Sequence, residues 1–245
     1  MPADQPTILA TSGGVVPSER GGWDVGPLTD YAIELSGVTG RAPKVCFLGT
    51  AGGDRPAGIV DFYNAALRRG LAASHLQLFL MPNVDDLRGH LLDQDVIWVF
   101  GGSVAGLLAM WRLHGVDEAM RAAWQAGVVL TGVSAGSICW HVGGTTDSFG
   151  PQLRPVTNGL ALVPHSNGVH YDAEEQRRPL FQSLIADGTL PAGYATDDGV
   201  GVLYHGTDFV EAVSEKPDAG AYYVERDSDA GAVETRLETR QLSRS

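Results

Sequence analysis

Basic residues are scarce in this chain: 17 Lys and Arg stand against 29 Asp and Glu, and the formal net charge is −12. The basic residues form no cluster, whereas a surface that binds nucleic acid needs grouped Lys and Arg to neutralise phosphates. We therefore expect no nucleic-acid partner. Small molecules or peptides are the partners that this charge balance favours.

Cysteines and long apolar runs are also scarce. The two cysteines, Cys46 and Cys139, each lie in an apolar stretch and do not form a metal-ligating pair. The first residues lack the basic segment and long apolar core of a secretion signal, and no later run is long enough to span a membrane. We predict a protein of the reducing cytoplasm without a membrane partner.

The composition is that of a globular enzyme. The 245 residues are 44% apolar and 19% charged and include 32 glycines, which is typical of one α/β domain with many tight turns. We predict a single domain over residues 1–245. Short β-branched or aromatic runs alternate with helical patterns in the first half, which predicts a three-layer fold with a mostly parallel sheet flanked by helices. The predicted strands are Thr7–Thr11, Lys44–Gly49, Leu76–Met81, Val96–Phe100 and Val128–Val133, and the predicted helices are Pro56–Arg69, Ser103–Arg112 and Val116–Gln125.

The pattern changes after Gly143. A loop rich in Gly, Thr and Pro leads to a strand candidate, Leu160–Pro164, and then to one amphipathic helix, predicted at Ala173–Ala186. Three more strands that would extend or flank the sheet are predicted at Val200–Tyr204, Phe209–Val213 and Ala221–Glu225. Ligands of open α/β sheets bind beyond the carboxyl ends of strands, which directs attention to the junctions at 100–103 and 131–137.

A nucleophile turn is predicted at Ser134. Gly132, Ser134 and Gly136 match the G-x-S-x-G pattern, with an apolar strand before them and a helix-compatible stretch after them. Such a turn strains the backbone at the serine and requires small neighbours, which explains the glycines and Ala135. Ser137 is interpreted as a structural serine, and Cys139 is expected to pack into the core.

The same turn predicts an oxyanion site. Ser134 would lie at a helix amino end, where the N–H of Ala135 is free to stabilise the negative oxygen formed in acyl transfer. A second donor is expected from the neighbouring strand end, where Gly101 and Gly102 allow bare backbone to approach the substrate, and Gly102 is favoured.

A serine nucleophile needs a histidine base that is oriented by a carboxylate. His141 is predicted to lie on the helix after the turn, two turns away from the chemistry. The residues alone leave His165, His170 and His205 as candidates for the base. Asp197 and Asp198, at a predicted strand end, are the candidates for the acid, with a solvated turn as the alternative.

Four motifs in a fixed order carry a family resemblance: FGGS (100–103), GVSAGS (132–137), GLALVPHSNGVHYDAEEQR (159–177) and ATDDGVGVL (195–203). From about residue 96 to residue 204 the chain resembles the peptidase E, or aspartyl dipeptidase, family, with cyanophycinases as more distant relatives. This resemblance implies a flavodoxin-like fold of the class I glutamine amidotransferase type. It also implies a catalytic triad of Ser134, His170 and Asp198, with Gly102 and Ala135 as oxyanion donors.

The chain departs from the pattern of that family at four positions. Ser103 stands where Asn is usual after the glycine pair, Val169 replaces a proline, and Asp198 replaces a glutamate. Glu174 stands where the family has an arginine that reads the substrate's aspartate, and it would repel such a substrate. Arg177, Arg178 or another basic residue must substitute, or the specificity has changed. Ser103, Glu174 and Arg177 are the predicted substrate-binding residues.

The working hypothesis is a serine peptidase that cleaves small peptides with Ser134, His170 and Asp198. No metal or organic cofactor is expected, because no P-loop, dinucleotide fingerprint or H-E-x-x-H motif is present. Three alternatives stay open: an esterase or other hydrolase that uses His205, a cyanophycinase-like peptidase, and a non-catalytic amidotransferase-like binding protein. The substrate is expected to be a small peptide, and a homodimer stays open beside a monomer.

Overall fold

The structure is a computed structural model that describes residues 3–19, 21–229 and 231–243. Its strands are β1 (Thr7–Thr11), β2 (Val15–Pro17), β3 (Trp23–Val25), β4 (Lys44–Leu48), β5 (Ala72–Leu76), β6 (Val96–Val99), β7 (Val129–Val133), β8 (Gly143–Thr146), β9 (Arg154–Val156), β10 (Ser166–Gly168), β11 (Gly193–Thr196), β12 (Val200–His205), β13 (Asp208–Ser214), β14 (Ala221–Asp227), β15 (Gly231–Leu237) and β16 (Thr239–Gln241). Its helices are α1 (Pro27–Leu35), α2 (Pro56–Arg69), α3 (Leu87–Leu92), α4 (Val104–His114), α5 (Val116–Gln125), α6 (Ala135–Ile138) and α7 (Arg177–Ala186), with a 3-10 helix at Thr50–Gly52.

The main sheet has eight strands in the order β16-β13-β12-β1-β7-β6-β4-β5. Five neighbouring strands are parallel to one another: β1, β7, β6, β4 and β5. In contrast, β12 is antiparallel to both β1 and β13. The prediction of a mostly parallel sheet flanked by helices is therefore confirmed. The carboxyl ends of β1, β6 and β7 meet at one edge, which is the edge where ligands bind in such sheets.

Two apolar cores cover the two faces of this sheet. In β6, Ile97 and Val99 belong to a core that includes side chains of α4 and α5, while Val96 and Trp98 belong to a second core that includes Phe62 of α2. Successive strand residues point to opposite faces, and here both faces are buried. The strand consequently has the continuous apolar sequence that is typical of buried parallel strands.

The second sheet is formed by the later part of the chain, in the order β15-β14-β11-β10-β8-β9. Its strands β8, β10 and β11 are parallel, and α7 packs on it through Phe181 and Ile185. Its contact with the main sheet matters for the site, since β10 and β11 end where β1 ends. Within the described ranges, no helix combines the length and apolar composition needed to cross a membrane.

Two strand predictions are wrong. The strand predicted at Leu76–Met81 lies earlier in the chain, at Ala72–Leu76, and is β5. The residues after Leu76 do not continue the strand, because the N–H groups of Leu78 and Phe79 donate to the carboxylate of Asp54. The run Leu160–Pro164 is irregular, because its first N–H groups bond to carbonyl groups in residues 139–141, just after α6. A run of apolar residues in the sequence did not by itself distinguish these buried loops from strands.

Three helix predictions differ from the structure. The helix predicted at Ser103–Arg112 is α4 at Val104–His114, because Ser103 is the N-cap residue. The helix predicted from Ala173 begins at Arg177, because the preceding residues form turns in which the N–H of Arg177 bonds to the carbonyl of Glu174. Helix α6 is only four residues long, so His141 does not lie on it. The bounds predicted for β1, α2 and α5 coincide with the structure.

Candidate active site

Ser134 occupies the sharp turn between β7 and α6. Its backbone has φ 57° and ψ −112°, a conformation that costs an ordinary residue free energy and is kept only where the surroundings enforce it. The N–H of Ser134 donates to the carbonyl of Thr11 at 3.1 Å, which anchors the turn to the end of β1. The predicted strand-to-helix turn is present.

The two glycines that flank Ser134 are required by close backbone approach. A Cβ on Gly136 would collide with the carbonyl of Val99, and a Cβ on Gly132 would collide with the carbonyl of Gly136. Gly101 lies against Ser134, with 3.3 Å between an ideal Cβ position on Gly101 and the Cβ of Ser134. The end of β6 and the Ser134 turn therefore pack directly against each other.

The backbone N–H groups of Gly102 and Ala135, near this turn, have no acceptor in the described part of the chain. Gly102 has φ 138°, and a Cβ there would collide with the carbonyl of Ala51, so only glycine fits this position. Both N–H groups are thus available to an oxygen atom of a ligand. They follow the neighbouring strands β6 and β7.

His170 and Asp198 follow the ends of the parallel strands β10 and β11. The His170 Nδ1 and the Asp198 Oδ1 are 2.5 Å apart, and both side chains are partly exposed. The hydrogen bond from His170 is the main cause that lowers the pKa of Asp198, with smaller contributions from the charges of His170 and Lys216, while partial burial opposes them. Asp198 is therefore ionised and holds Nδ1 of His170 as a proton donor.

Ser134 and His170 are held by consecutive residues at the end of β1. Whereas Ser134 bonds to Thr11, the N–H of His170 donates to Ser12 Oγ at 3.2 Å, and Ser12 Oγ also shares a 2.7 Å hydrogen bond with Thr196. The backbone of His170 has φ 53°, so this contact supports a strained conformation. The Ser134 hydroxyl makes no hydrogen bond to any described residue, which leaves it free, as is common in ligand-free sites.

The other candidates for base and acid lie elsewhere. His205 pairs with Thr7 at the opposite end of β1, and the six residues of β12 separate it from the site by roughly 16 Å. His165 precedes β10 and packs edge-on against Tyr194 at 5.2 Å. This position of His205 does not favour the hydrolase alternative that uses it as the base.

Asp197 is buried and points away from His170. One of its oxygens accepts from the N–H of Gly220 at 2.9 Å and from the hydroxyl of Tyr222 at 3.2 Å. Burial is the main cause that raises the pKa of Asp197. Of the two acids that the sequence left open, only Asp198 contacts the histidine.

A cavity of about 550 Å³ adjoins the turn and includes Gly101, Gly102 and Ser103 in its lining. The Ser103 hydroxyl accepts from the N–H of Gly106 at 3.1 Å and so caps α4 while it lines the cavity. Arg55 and Asp147 also line the cavity. Sequence reasoning missed both; the only available signal for Arg55 was its loop position after the carboxyl end of β4.

Arg177 and Arg178 are already paired within the protein. Arg177 is 3% exposed; its Nε donates to Glu174 at 2.7 Å and its Nη1 donates to the carbonyl of Thr145 at 2.5 Å. Arg178 pairs with Glu234 and lies over the rings of two tyrosines. Because both guanidinium groups are paired with glutamates, neither arginine is favoured as the substitute for the substrate-reading arginine. The two other expectations, a basic residue elsewhere or a changed specificity, stay open.

Comparison with known proteins gives the family. The model of peptidase family S51 matches residues 9–212. The chain belongs to peptidase family S51. It is 41% identical over 182 residues to the uncharacterized peptidase YgaJ of Bacillus subtilis, covering 74% of this chain and 78% of that protein. It is 27% identical over 200 residues to peptidase E of Shewanella denitrificans, covering 78% and 83% of the two chains.

Solved structures agree on the fold. A peptidase from an acI-B1 Actinobacterium superposes with a TM-score of 0.66 at 16% identity, covering 96% of this chain and 95% of that one. A putative peptidase E protein from Listeria monocytogenes superposes with a TM-score of 0.59 at 17% identity, covering 84% and 97%. The S51 chain described here is thus a serine-type peptidase with the fold of peptidase E.

Proposed function

We propose that this S51 peptidase hydrolyses small peptides with Ser134 as nucleophile, His170 as base and Asp198 as the acid that orients the base. The observation that carries the proposal is the 2.5 Å contact between His170 and Asp198, held beside the strained Ser134 turn by the end of β1. A nucleophile, a base and an orienting acid are the parts that acyl transfer to serine requires.

The proposed reaction has two halves. His170 Nε2 takes the proton of Ser134 Oγ as this oxygen attacks the peptide carbonyl, and the N–H groups of Gly102 and Ala135 stabilise the resulting oxyanion. The imidazolium then gives its proton to the leaving amine, which leaves an acyl-enzyme on Ser134. Water attacks the acyl group while His170 accepts a proton from it, and His170 then gives this proton to Ser134 Oγ as the acid departs. Asp198 accepts the hydrogen bond from the Nδ1–H of His170 throughout and stabilises the imidazolium.

Two observations support the proposed substrate class. The relative from Shewanella denitrificans is named peptidase E, and the cavity of about 550 Å³ suits a peptide of a few residues. The resemblance aligns Glu174 with the family's aspartate-reading arginine, and Glu174 pairs with Arg177, which supports a proposal without aspartate recognition of the usual kind. We propose a dipeptidase-like enzyme that does not read an aspartate side chain through residue 174.

The organisation and location of the protein are part of the proposal. We propose one domain over residues 1–245, because the chain returns from the second sheet to complete the main sheet through β12 and β13. We propose a cytoplasmic location, which the two buried, unpaired cysteines support.

A dipeptide screen with three variants tests the proposal. Purified protein is assayed against Asp-, isoaspartyl- and neutral-residue dipeptides and against esters. Ser134→Ala and His170→Ala are expected to lower kcat by several orders of magnitude on the best peptide, whereas the matched control His205→Ala keeps it within a few fold. Wild-type turnover by Ser134→Ala would contradict the assignment of the nucleophile.

A further inference from the structure

Arg55 places an unneutralised positive charge in the cavity beside the proposed oxyanion site. It lies between the 3-10 helix and α2 and lines the cavity together with Gly101 and Gly102. The Arg55 side chain is exposed, and within the described ranges its guanidinium forms no hydrogen bond and no ion pair, while its backbone carbonyl accepts from the N–H groups of Gly58 and Ile59. Arg177 and Arg178, by contrast, are both paired with glutamates.

The neighbouring acid does not neutralise Arg55. The carboxylate of Asp54 is 5% exposed and is directed at the N–H groups of Leu78 and Phe79, at 2.6 and 3.0 Å. Asp147 also lines the cavity but makes no ion pair with Arg55 in the described chain. The cavity therefore offers a cation and an anion separately, and this combination suits a peptide that carries both charges.

The amino end of α2 adds to the positive potential. Arg55 is the N-cap residue, no side chain caps this 14-residue helix, and Ala57 and Gly58 of its first turn line the cavity. A helix amino end favours negative charge, so a basic residue at this position is unfavourable for the helix by itself. A bound anion would relieve that repulsion and contact both groups.

We infer that Arg55, together with the uncapped amino end of α2, binds a carboxylate group of the peptide substrate. The inference rests on the proposed function, since it places the carboxylate beside the bond that Ser134 attacks. A small peptide has two sources of this group: an acidic side chain and the C-terminal carboxylate. An arginine binds either of them through two parallel hydrogen bonds.

Calorimetric titration of the Ser134→Ala variant tests the inference without turnover. The probes are Asp-Ala, Asn-Ala, which lacks the side-chain carboxylate, and Asp-Ala amide, which lacks the C-terminal one. We expect loss of the relevant carboxylate to weaken binding about 10- to 100-fold. Adding Arg55→Gln should weaken binding of Asp-Ala equally and abolish the difference between the probes, whereas Arg55→Lys keeps part of it.

Arg88→Gln is the matched control, because it removes the same charge from an exposed site on α3 outside the cavity lining. A difference between Asp-Ala and Asn-Ala that depends on Arg55 identifies the side-chain carboxylate, and a difference between Asp-Ala and its amide identifies the C-terminal one. The inference is overturned if no probe binds, if no carboxylate matters, if the difference survives in Arg55→Gln, or if Arg88→Gln abolishes it equally.

The outcome also separates this inference from the proposed function. If peptides bind in an Arg55-dependent way but the enzyme with Ser134 intact does not hydrolyse them, the proposed function fails and the inference stands. If the enzyme hydrolyses peptides through Ser134 but binding ignores Arg55, the proposed function stands and the inference fails.

Discussion

Replacing Asp198 by Asn should disable the proposed base while leaving the fold intact. In the structure His170 Nδ1 lies 2.5 Å from Asp198 Oδ1. In the proposed mechanism Asp198 accepts the Nδ1 proton, which leaves Nε2 unprotonated and able to accept the proton of Ser134 Oγ. An asparagine can donate its NH₂ to Nδ1 and so stabilise the opposite tautomer, in which Nε2 carries the proton and cannot accept one from Ser134.

The loss of an unprotonated Nε2 sets the expected fall in kcat. The same change in a Ser-His-Asp triad lowers kcat by about 10⁴-fold, which corresponds to about 5 kcal/mol of transition-state stabilisation. KM should change little, because the carboxylate of Asp198 is directed at His170. Because the pKa of Asp198 is lowered below its ordinary value of 3.8, the carboxylate stays ionised as the pH falls through the range of the assay.

Asp197→Asn provides a matched control one residue away. Asp197 bonds to Gly220 and Tyr222, and burial already favours its neutral form, so an amide should be tolerated with kcat within about 10-fold of wild type. The assay is steady-state hydrolysis of the best dipeptide by both variants, with thermal melting as the check on folding. A 10⁴-fold loss in Asp197→Asn combined with near-normal kcat in Asp198→Asn would refute the reasoning.

Two further predictions concern positioning and stability. Ser12→Ala removes the hydroxyl that accepts from the N–H of His170, whose backbone is strained, and should lower kcat about 10-fold with little change in KM. Ser12→Thr keeps a hydroxyl and should restore most of kcat. Equal kinetics for Ser12→Ala and wild type would count against a positioning role of Ser12. Burial lowers the pKa of His141 to about 3, so the unfolded chain binds more protons between pH 6.5 and 3 and stability is lost as pH falls through that window. At pH 4.5 the protonation of His141 in the unfolded chain lowers the free energy of unfolding by about 3 kcal/mol relative to pH 7. Urea unfolding at the two pH values should therefore show a difference in this free energy that is about 3 kcal/mol smaller for His141→Gln than for the wild type. An unchanged difference would disprove the attribution to His141.

The fold was predictable where the sequence signals were local. Strand β1 and helices α2 and α5 have the predicted bounds, because a buried apolar run, a Pro at the first helical position and a following Gly mark their ends within a few residues. Strand β5 was misplaced because it lies at the sheet edge, where β4 is its one partner among the described residues, so partly exposed small residues suffice there.

The candidate site was predictable as far as motifs reach. The turn at Ser134 carries its own pattern, and the resemblance supplied His170 and Asp198, which the structure brings within hydrogen-bond distance. The residues by themselves could not choose between His170 and His205, because the choice depends on which end of β1 each histidine meets. Contacts between residues far apart in the sequence decide which end of β1 each histidine meets.

Charges that neutralise each other were the least predictable feature. The sequence showed Glu174 and Arg177 three residues apart but not that they pair, nor that Arg177 also bonds to the carbonyl of Thr145. Arg55 carried no motif, and its position in the cavity depends on the packing of the loop after β4 against Gly102. Substrate recognition is accordingly the part of the account that only the structure suggested.

Labelling with a fluorophosphonate probe tests the central claim most directly. Folded wild-type protein is treated with the probe, digested and analysed by mass spectrometry. The account predicts a single adduct, on Ser134, that is lost in Ser134→Ala and strongly slowed in His170→Ala but not in His205→Ala. An adduct on another residue, or no adduct in folded protein that hydrolyses peptides, would contradict it.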